Sequence, residues 1–310
     1  MNVMESIWNE TTLFYEPRKY CKEKYGWPES VPQMSEFESA FLCGLIREKK
    51  PRKIVELGVA AGGTTAVVLK CLDMLGLDSQ TEMISMDIRE MFHGNNGKKS
   101  GYEAYEILNE DDHHFHHKFI LGKYLPEVID DVEGADFVIL DTVHQLPGEF
   151  LDFLAIFPYL IPNACVVLHD TRLHLSKLVN QFATQTLLSC VVADKIVQKD
   201  VTCPMLYPNI AAFTINENTR ENLCNVFLGL LIPWEYIIGE HEFAIYYDNY
   251  LKNYGEEYAG MFTIAYELQK KAVRLKKEDE IKLLNKSRAY RLGSAFLWFP
   301  KKIRRIFKKL

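Results

Sequence analysis

The chain has 310 residues, of which 48% are hydrophobic and 25% charged, with a formal net charge of −6. That length carries one well-buried core plus an appendage, and no run approaches the roughly 20 apolar residues of a membrane-spanning helix. Lys286 to Leu310 holds nine of the 36 basic residues and no acid, so the rest carries 27 against 42, or −15, which argues against a nucleic-acid-binding face. Seven scattered cysteines without a CxxC pair suit a reducing compartment, and the N-terminus lacks the pattern of a secretory signal. The expectation is a cytoplasmic protein.

In chain order, residues 1–34 read as an aromatic-rich cap segment. Ser35 and Glu38 have the spacing of a capping box, and Ser35 to Lys49 continues as an amphipathic helix. Ile54, Val55 and Leu57 suit a parallel strand buried on both faces, spanning 53–57. A small-residue turn with Gly58, Gly62 and Gly63 leads into a helix over 63–75. Strands are then predicted at 83–88, 117–122, 135–141 and 164–170, with helices at 101–110, 148–160 and 173–188 between them. Strands at 191–197 and 209–215 finish the sheet. This alternation predicts an α/β domain over 35–215, a doubly wound, mostly parallel, seven-stranded sheet. Beyond Asn216 helices take over at 219–231 and 255–285, giving a helical extension over 216–285 and a basic tail over 286–310. Tyr258, Met261, Ala265, Leu268, Ala272 and Leu275 form an apolar seam that either packs on the protein's own core or pairs two copies into a homo-oligomer over 258–275.

The turn after the first strand departs from a dinucleotide fingerprint. Ala60 stands where G-x-G-x-x-G needs its second glycine, and the carboxylate of Glu56 at the strand end would repel phosphates. Such a turn suits a ligand with an adenosine end, no phosphate and a charged amino acid. Asp87, ending the second strand, is placed to accept both ribose hydroxyls.

The segments VELGVAAGGTT (55–65), SMDI (85–88), ADFVILDTVH (135–144) and IPNACVVLHDT (161–171) together resemble the class I S-adenosylmethionine-dependent methyltransferases. The likeness covers roughly residues 33–215, and the last two segments are most similar to the branch of catechol, caffeoyl and sugar O-methyltransferases. It implies a Rossmann-like methyltransferase domain using S-adenosyl-L-methionine. Gly58, Gly62 and Thr64 would line the methionine part, Glu56 would anchor the turn, and Asp87 would hold the ribose. Asp141 would orient the cofactor's amine, and 121–126 would supply an adenine wall. The loop DTVH (141–144) departs from the branch, where an acid or glycine often stands.

Strand ends four and five bring Asp141, His144, His169 and Asp170 to the carboxyl edge of the sheet, where ligands bind in such folds. His144 is the candidate general base, since an imidazole titrates near neutral pH, with Asp141 beside it. Asp141 and Asp170 are candidate ligands for Mg²⁺ or another divalent cation that would lower the acceptor's pKa. In the related metal-dependent enzymes an oxygen ligand follows the second Asp, and here that position is Thr171, a poorer one. Otherwise Asp170 caps the next helix. The cluster DDHHFHH (111–117) lacks a period that would converge its histidines and reads as a solvated loop. Aromatics near the N-terminus (Trp8, Phe14, Tyr15, Tyr20, Tyr25, Trp27) and in IPWEYI (232–237) form either an acceptor wall or core.

The function expected is methyl transfer to a sugar, glycan or other small hydroxylated acceptor. Two alternatives stand beside it: a nicotinamide-dependent oxidoreductase, and a non-catalytic methyltransferase-like subunit of a membrane glycan-assembly complex. In AFLWFPKKIRRIFKKL (295–310), apolar residues fall near one helical face and six cations cover the rest. Residues 296–310 are therefore expected to make peripheral contact with an anionic membrane, on its inner face.

Overall fold

The computed structural model describes residues 10–28, 30–94, 97–109, 115–175 and 180–286. The tail with its amphipathic segment 296–310, Trp8, and residues 111–114 lie outside the described residues. The chain divides into two units, Met1–Phe262 and Thr263–Leu310. The sheet and the site described below belong to the first.

Two helices come first, α1 (Glu16–Tyr25) and α2 (Glu36–Lys49). The capping box is present: Ser35 N–H donates to Glu38 Oε2 at 2.6 Å, and Glu38 N–H to Ser35 Oγ at 3.3 Å. Then follow β1 (Lys53–Leu57), α3 (Gly63–Met74), β2 (Glu82–Asp87), α4 (Tyr105–Leu108), β3 (His116–Leu121), α5 (Ile129–Val132), β4 (Ala135–Leu140), α6 (Gly148–Ile156) and β5 (Leu160–His169). The rest are α7 (Ala183–Cys190), β6 (Asp194–Ile196), β7 (Ile210–Thr214), α8 (Glu217–Glu221), α9 (Cys224–Gly229) and α10 (Glu240–Lys286). The seven strands lie in the order β3-β2-β1-β4-β5-β7-β6. The first five are parallel, with Val55 in register with Ile84 on one side and Val138 on the other, and β7 runs antiparallel to both its neighbours. The order reverses between β1 and β4, the crevice at which such sheets bind ligands.

Helices cover both faces. On one, Phe37, Phe41 and Leu45 of α2 and Val67 and Leu69 of α3 pack with Ile54, Phe137, Ile139 and Val167. On the other, Phe153 of α6 meets Phe213 edge-on at 5.6 Å, and Tyr250 of α10 donates to the Leu151 carbonyl at 3.0 Å. Each such fully buried aromatic or aliphatic side chain contributes about 1.5–3 kcal/mol.

Several boundaries differ from expectation. Among the described residues of the helix expected at 173–188, Leu173–Leu175 form a 3₁₀ turn and α7 begins at Ala183. The helix expected from 255 begins at Glu240 and has one non-helical residue, Gly255, at φ 79°. The aromatics of HEFAIYYDNY (241–250) obscure its period, because tyrosines pack on several sides. Among the described N-terminal aromatics, all but the exposed Tyr15 belong to the core. Trp27 lies in the core beneath α2 and α3, with Phe14, Tyr20 and Tyr25 packed against that core. The histidine run is not wholly a loop: His116 and His117 start β3, and His117 Nε2 lies 3.0 Å from Ser85 Oγ. In the second unit Leu268 and Leu275 of the expected seam are exposed. No helix among the described residues is long and apolar enough to cross a membrane.

Candidate active site

A cavity of about 650 Å³ opens at the carboxyl edge of the sheet, at the β1/β4 reversal. Its floor is the turn after β1. Gly58 sits at φ 94°, where a Cβ would stand 1.8 Å from the Asp141 carbonyl oxygen, so only glycine fits between the ends of β1 and β4. The same junction is tied by Asp141 N–H donating to Leu57 O at 2.9 Å. Gly62, at φ 95°, also passes close to the Gly101 backbone, where a Cβ would stand 2.7 Å from Gly101 Cα. Ala60 also takes positive φ, 49°, which costs a residue with a Cβ free energy that the surroundings must supply. They do so through Asp87, whose Oδ2 accepts the Val59 and Ala60 N–H groups at 3.2 and 3.0 Å, while Oδ1 accepts Arg89 N–H at 2.8 Å. Asp87 therefore holds the turn as well as lining the cavity, a role its strand-end position did not suggest.

Gly58, Gly62, Thr64, Asp87, Asp141 and His144 all line the cavity. Glu56 does not. It is fully buried, and its Oε2 accepts from Thr65 Oγ1 at 2.7 Å, so it props the start of α3 from beneath. Burial pushes its carboxyl up to about 7. The folded state thus keeps a proton that the unfolded chain releases near 4.5, and stability falls as pH rises between these values. Glu56→Gln keeps an acceptor for Thr65 and should remove a slope of about 3 kcal/mol across that window. Urea unfolding of both proteins at pH 5 and pH 8 measures it.

At the ends of β4 and β5 four titratable side chains converge. His144, at φ 58°, places Nε2 3.2 Å from Asp170 Oδ2 and 3.7 Å from Asp141 Oδ1. Its backbone N–H donates to Glu149 Oε1, and its Nδ1 lies 3.5 Å from the same oxygen. Burial pushes Glu149 up to about 7. His169, 4% exposed, lies between two carboxylates: Nδ1 is 3.0 Å from Asp141 Oδ1 and Nε2 3.3 Å from Glu38 Oε2. Ionised carboxylates only accept, so both ring nitrogens carry hydrogen. Burial alone would lower the imidazole's pKa, but Asp141, Glu38 and Asp170 raise it well above the usual value. In return, against the opposing effect of burial, His169 holds Glu38 and Asp141 below theirs. Asp170 is fixed by Asn209, which donates to Oδ1 at 2.6 Å.

Asp141, His144 and Asp170 offer one ligand atom each, all within 4.8 Å of one another. Two carboxylates and an imidazole fit a divalent ion of the Mn²⁺ to Zn²⁺ group better than Mg²⁺, which favours oxygen alone. Thr171 is no ligand: its hydroxyl donates to the Pro208 carbonyl at 3.2 Å, and the residue is buried. His144 Nε2 is the third candidate ligand atom beside the two carboxylates. The cavity is also lined by Tyr124, Tyr236, Tyr246, Asp152 and Glu242. Tyr246 donates to Asp152 Oδ1 at 2.6 Å, and burial pushes Asp152 and Glu242 up to about 6 and about 7.

Residues 55–171, which build the turn, Asp87 and all four converging side chains, match a family model described as a methyltransferase domain. This span is a methyltransferase domain. No curated protein matches the chain in sequence. Solved structures similar to it include the O-methyltransferase TomG from Streptomyces achromogenes in complex with SAM, 14% identical, covering 69% of this chain and 94% of that one at a TM-score of 0.44. The O-methyltransferase from Bacillus cereus in complex with SAH is 16% identical, covering 65% and 90% at 0.43. The MycE methyltransferase of the mycinamycin pathway, in complex with Mg, SAH and mycinamycin VI, is 16% identical, covering 65% and 55% at 0.42. The matched span contributes the turn and the strand-end carboxylates Asp87, Asp141 and Asp170, whereas Glu38, Asn209, Tyr236 and Tyr246 lie outside it.

Proposed function

We propose that the chain is an S-adenosylmethionine-dependent O-methyltransferase acting on a sugar, glycan or other small hydroxylated acceptor. The reading rests on one cavity that joins the glycine turn and Asp87 to Asp141 and His144, with Asp170 3.2 Å from His144 Nε2. S-adenosylmethionine supplies an electrophilic methyl carbon. Asp87 accepts from the ribose hydroxyls, Gly58 and Gly62 let the methionine part approach the backbone, and Asp141 faces its ammonium. Bound there, the cofactor would present its methyl carbon to an acceptor hydroxyl for in-line displacement at sulfur, and the His144 imidazole would take the hydroxyl proton. The rings of Tyr124, Tyr236 and Tyr246 suit the flat faces of a sugar, and Asp152 and Glu242 suit its hydroxyls.

The Asp141–His144–Asp170 cluster supports a second reading, in which His144 Nε2 is a ligand and not a base. A divalent ion held by these three would lower the acceptor hydroxyl's pKa. The two readings separate in chelator: with His144 as base, transfer persists in EDTA; with His144 as ligand, EDTA abolishes it and Mn²⁺ restores it.

The basic segment 296–310 fits a helix lying on an anionic leaflet, each cation contributing about 1 kcal/mol. That placement suits a lipid-linked glycan acceptor at the cytoplasmic face, and the intact chain should pellet with anionic liposomes while a chain ending at 295 stays in solution. Function is tested by incubating the protein and labelled S-adenosylmethionine with glycan and glycolipid fractions, followed by mass spectrometry. A gain of one methyl on a carbohydrate oxygen is expected. Cofactor binding with no acceptor methylated in any fraction would favour the non-catalytic subunit.

A further inference from the structure

We propose that Glu38 is a positioning residue for the cofactor's amino-acid end, acting through His169 on Asp141. The inference rests on the cavity being a cofactor site. The acid of a capping box ordinarily sits at the surface and does no more than reach back to its own N-cap. Glu38 does this and more. It is 3% exposed, and the oxygen that accepts Ser35 N–H at 2.6 Å also meets His169 Nε2 at 3.3 Å, 131 residues away in the chain.

His169 passes the constraint onward. With Nε2 held by α2 and Nδ1 held 3.0 Å from Asp141 Oδ1, the ring has one orientation, and Asp141 has one oxygen pinned. Asp141 is the carboxylate at the glycine turn, because its carbonyl packs on Gly58 and its N–H bonds Leu57. An ammonium group resting on that turn meets a carboxylate already held in place, so less ordering remains at binding. The first turn of α2, whose approach is lined by Val31, Pro32 and Gln33, thereby becomes part of the cofactor site.

Calorimetry with two probes isolates this role. S-adenosylhomocysteine carries the amino acid, and 5′-methylthioadenosine shares the adenosine thioether without it. Glu38→Ala should weaken S-adenosylhomocysteine about tenfold, the scale of one charge-assisted contact, and leave methylthioadenosine within about twofold. Glu38→Gln, whose amide oxygen accepts at the same place, should restore most of the loss. Ser35→Ala removes the other half of the capping box and should lower Tm with both affinities unchanged. If Glu38→Ala does not fold, Glu38→Met keeps the volume, removes only the acceptor and carries the same two expectations. Equal weakening of both probes, no weakening of either, or a glutamine variant no better than alanine would overturn the proposal. A wild-type protein that binds neither probe would instead overturn the proposed function, and this inference with it.

Discussion

Replacing His144 with alanine should leave the affinity for S-adenosylhomocysteine intact and slow methyl transfer by about 100-fold or more, the usual worth of a positioned base. The residue lines the cavity but sits among carboxylates, with Nε2 3.2 Å from Asp170 and Nδ1 3.5 Å from Glu149. Glu149 keeps the backbone N–H of residue 144 and Asp170 keeps Asn209, so removing the ring leaves the glycine turn undisturbed. Single-turnover rates with labelled S-adenosylmethionine measure the loss, and titrating Mn²⁺ into the variant divides it. A base cannot be replaced by more metal, whereas a missing ligand is partly offset by it. Full activity in the variant would move proton removal to another group.

Asp87→Ala should weaken S-adenosylhomocysteine by about 3 kcal/mol, roughly 100-fold, because two sets of hydrogen bonds to one charged acceptor are lost together. One set is to the ribose. The other is internal: Val59, Ala60 and Arg89 N–H groups all donate to this carboxylate, and Ala60 keeps its positive φ under that hold. The turn is thus expected to relax even before ligand arrives. Asp87→Asn, which retains an acceptor oxygen but no charge, should fall between. Unchanged affinity in a folded Asp87→Ala protein would remove the aspartate from the cofactor site.

What was legible in the sequence follows from periodicity and from residues with only one conformational use. The parallel strands were readable because each is an apolar run ending in a glycine or an acid, as in KIVELG and FVILD. Gly58 was readable because close approach at a strand-end turn needs glycine. The partners were not readable. Glu38 meets His169 across 131 residues, and its capping box already accounted for it locally. His144 was open to both base and ligand, since a lone histidine in a loop gives no sign of which carboxylates fold beside it. Asn209 gave no sign either, because β7 returns antiparallel beside β5 and places the residue at Asp170 only in three dimensions. The helix from Glu240 was missed at its start because its tyrosines serve several neighbours, with Tyr246 bonding Asp152 while Tyr250 bonds Leu151.

The central claim is that the turn after β1 holds an adenosine joined to an amino acid and not to a pyrophosphate. Calorimetry of the intact chain against S-adenosylhomocysteine and against NAD tests it most directly. Saturable one-to-one binding of S-adenosylhomocysteine, with no heat from NAD, is the predicted result. Binding of NAD without S-adenosylhomocysteine would contradict it and place the chain among the oxidoreductases that Ala60 argues against.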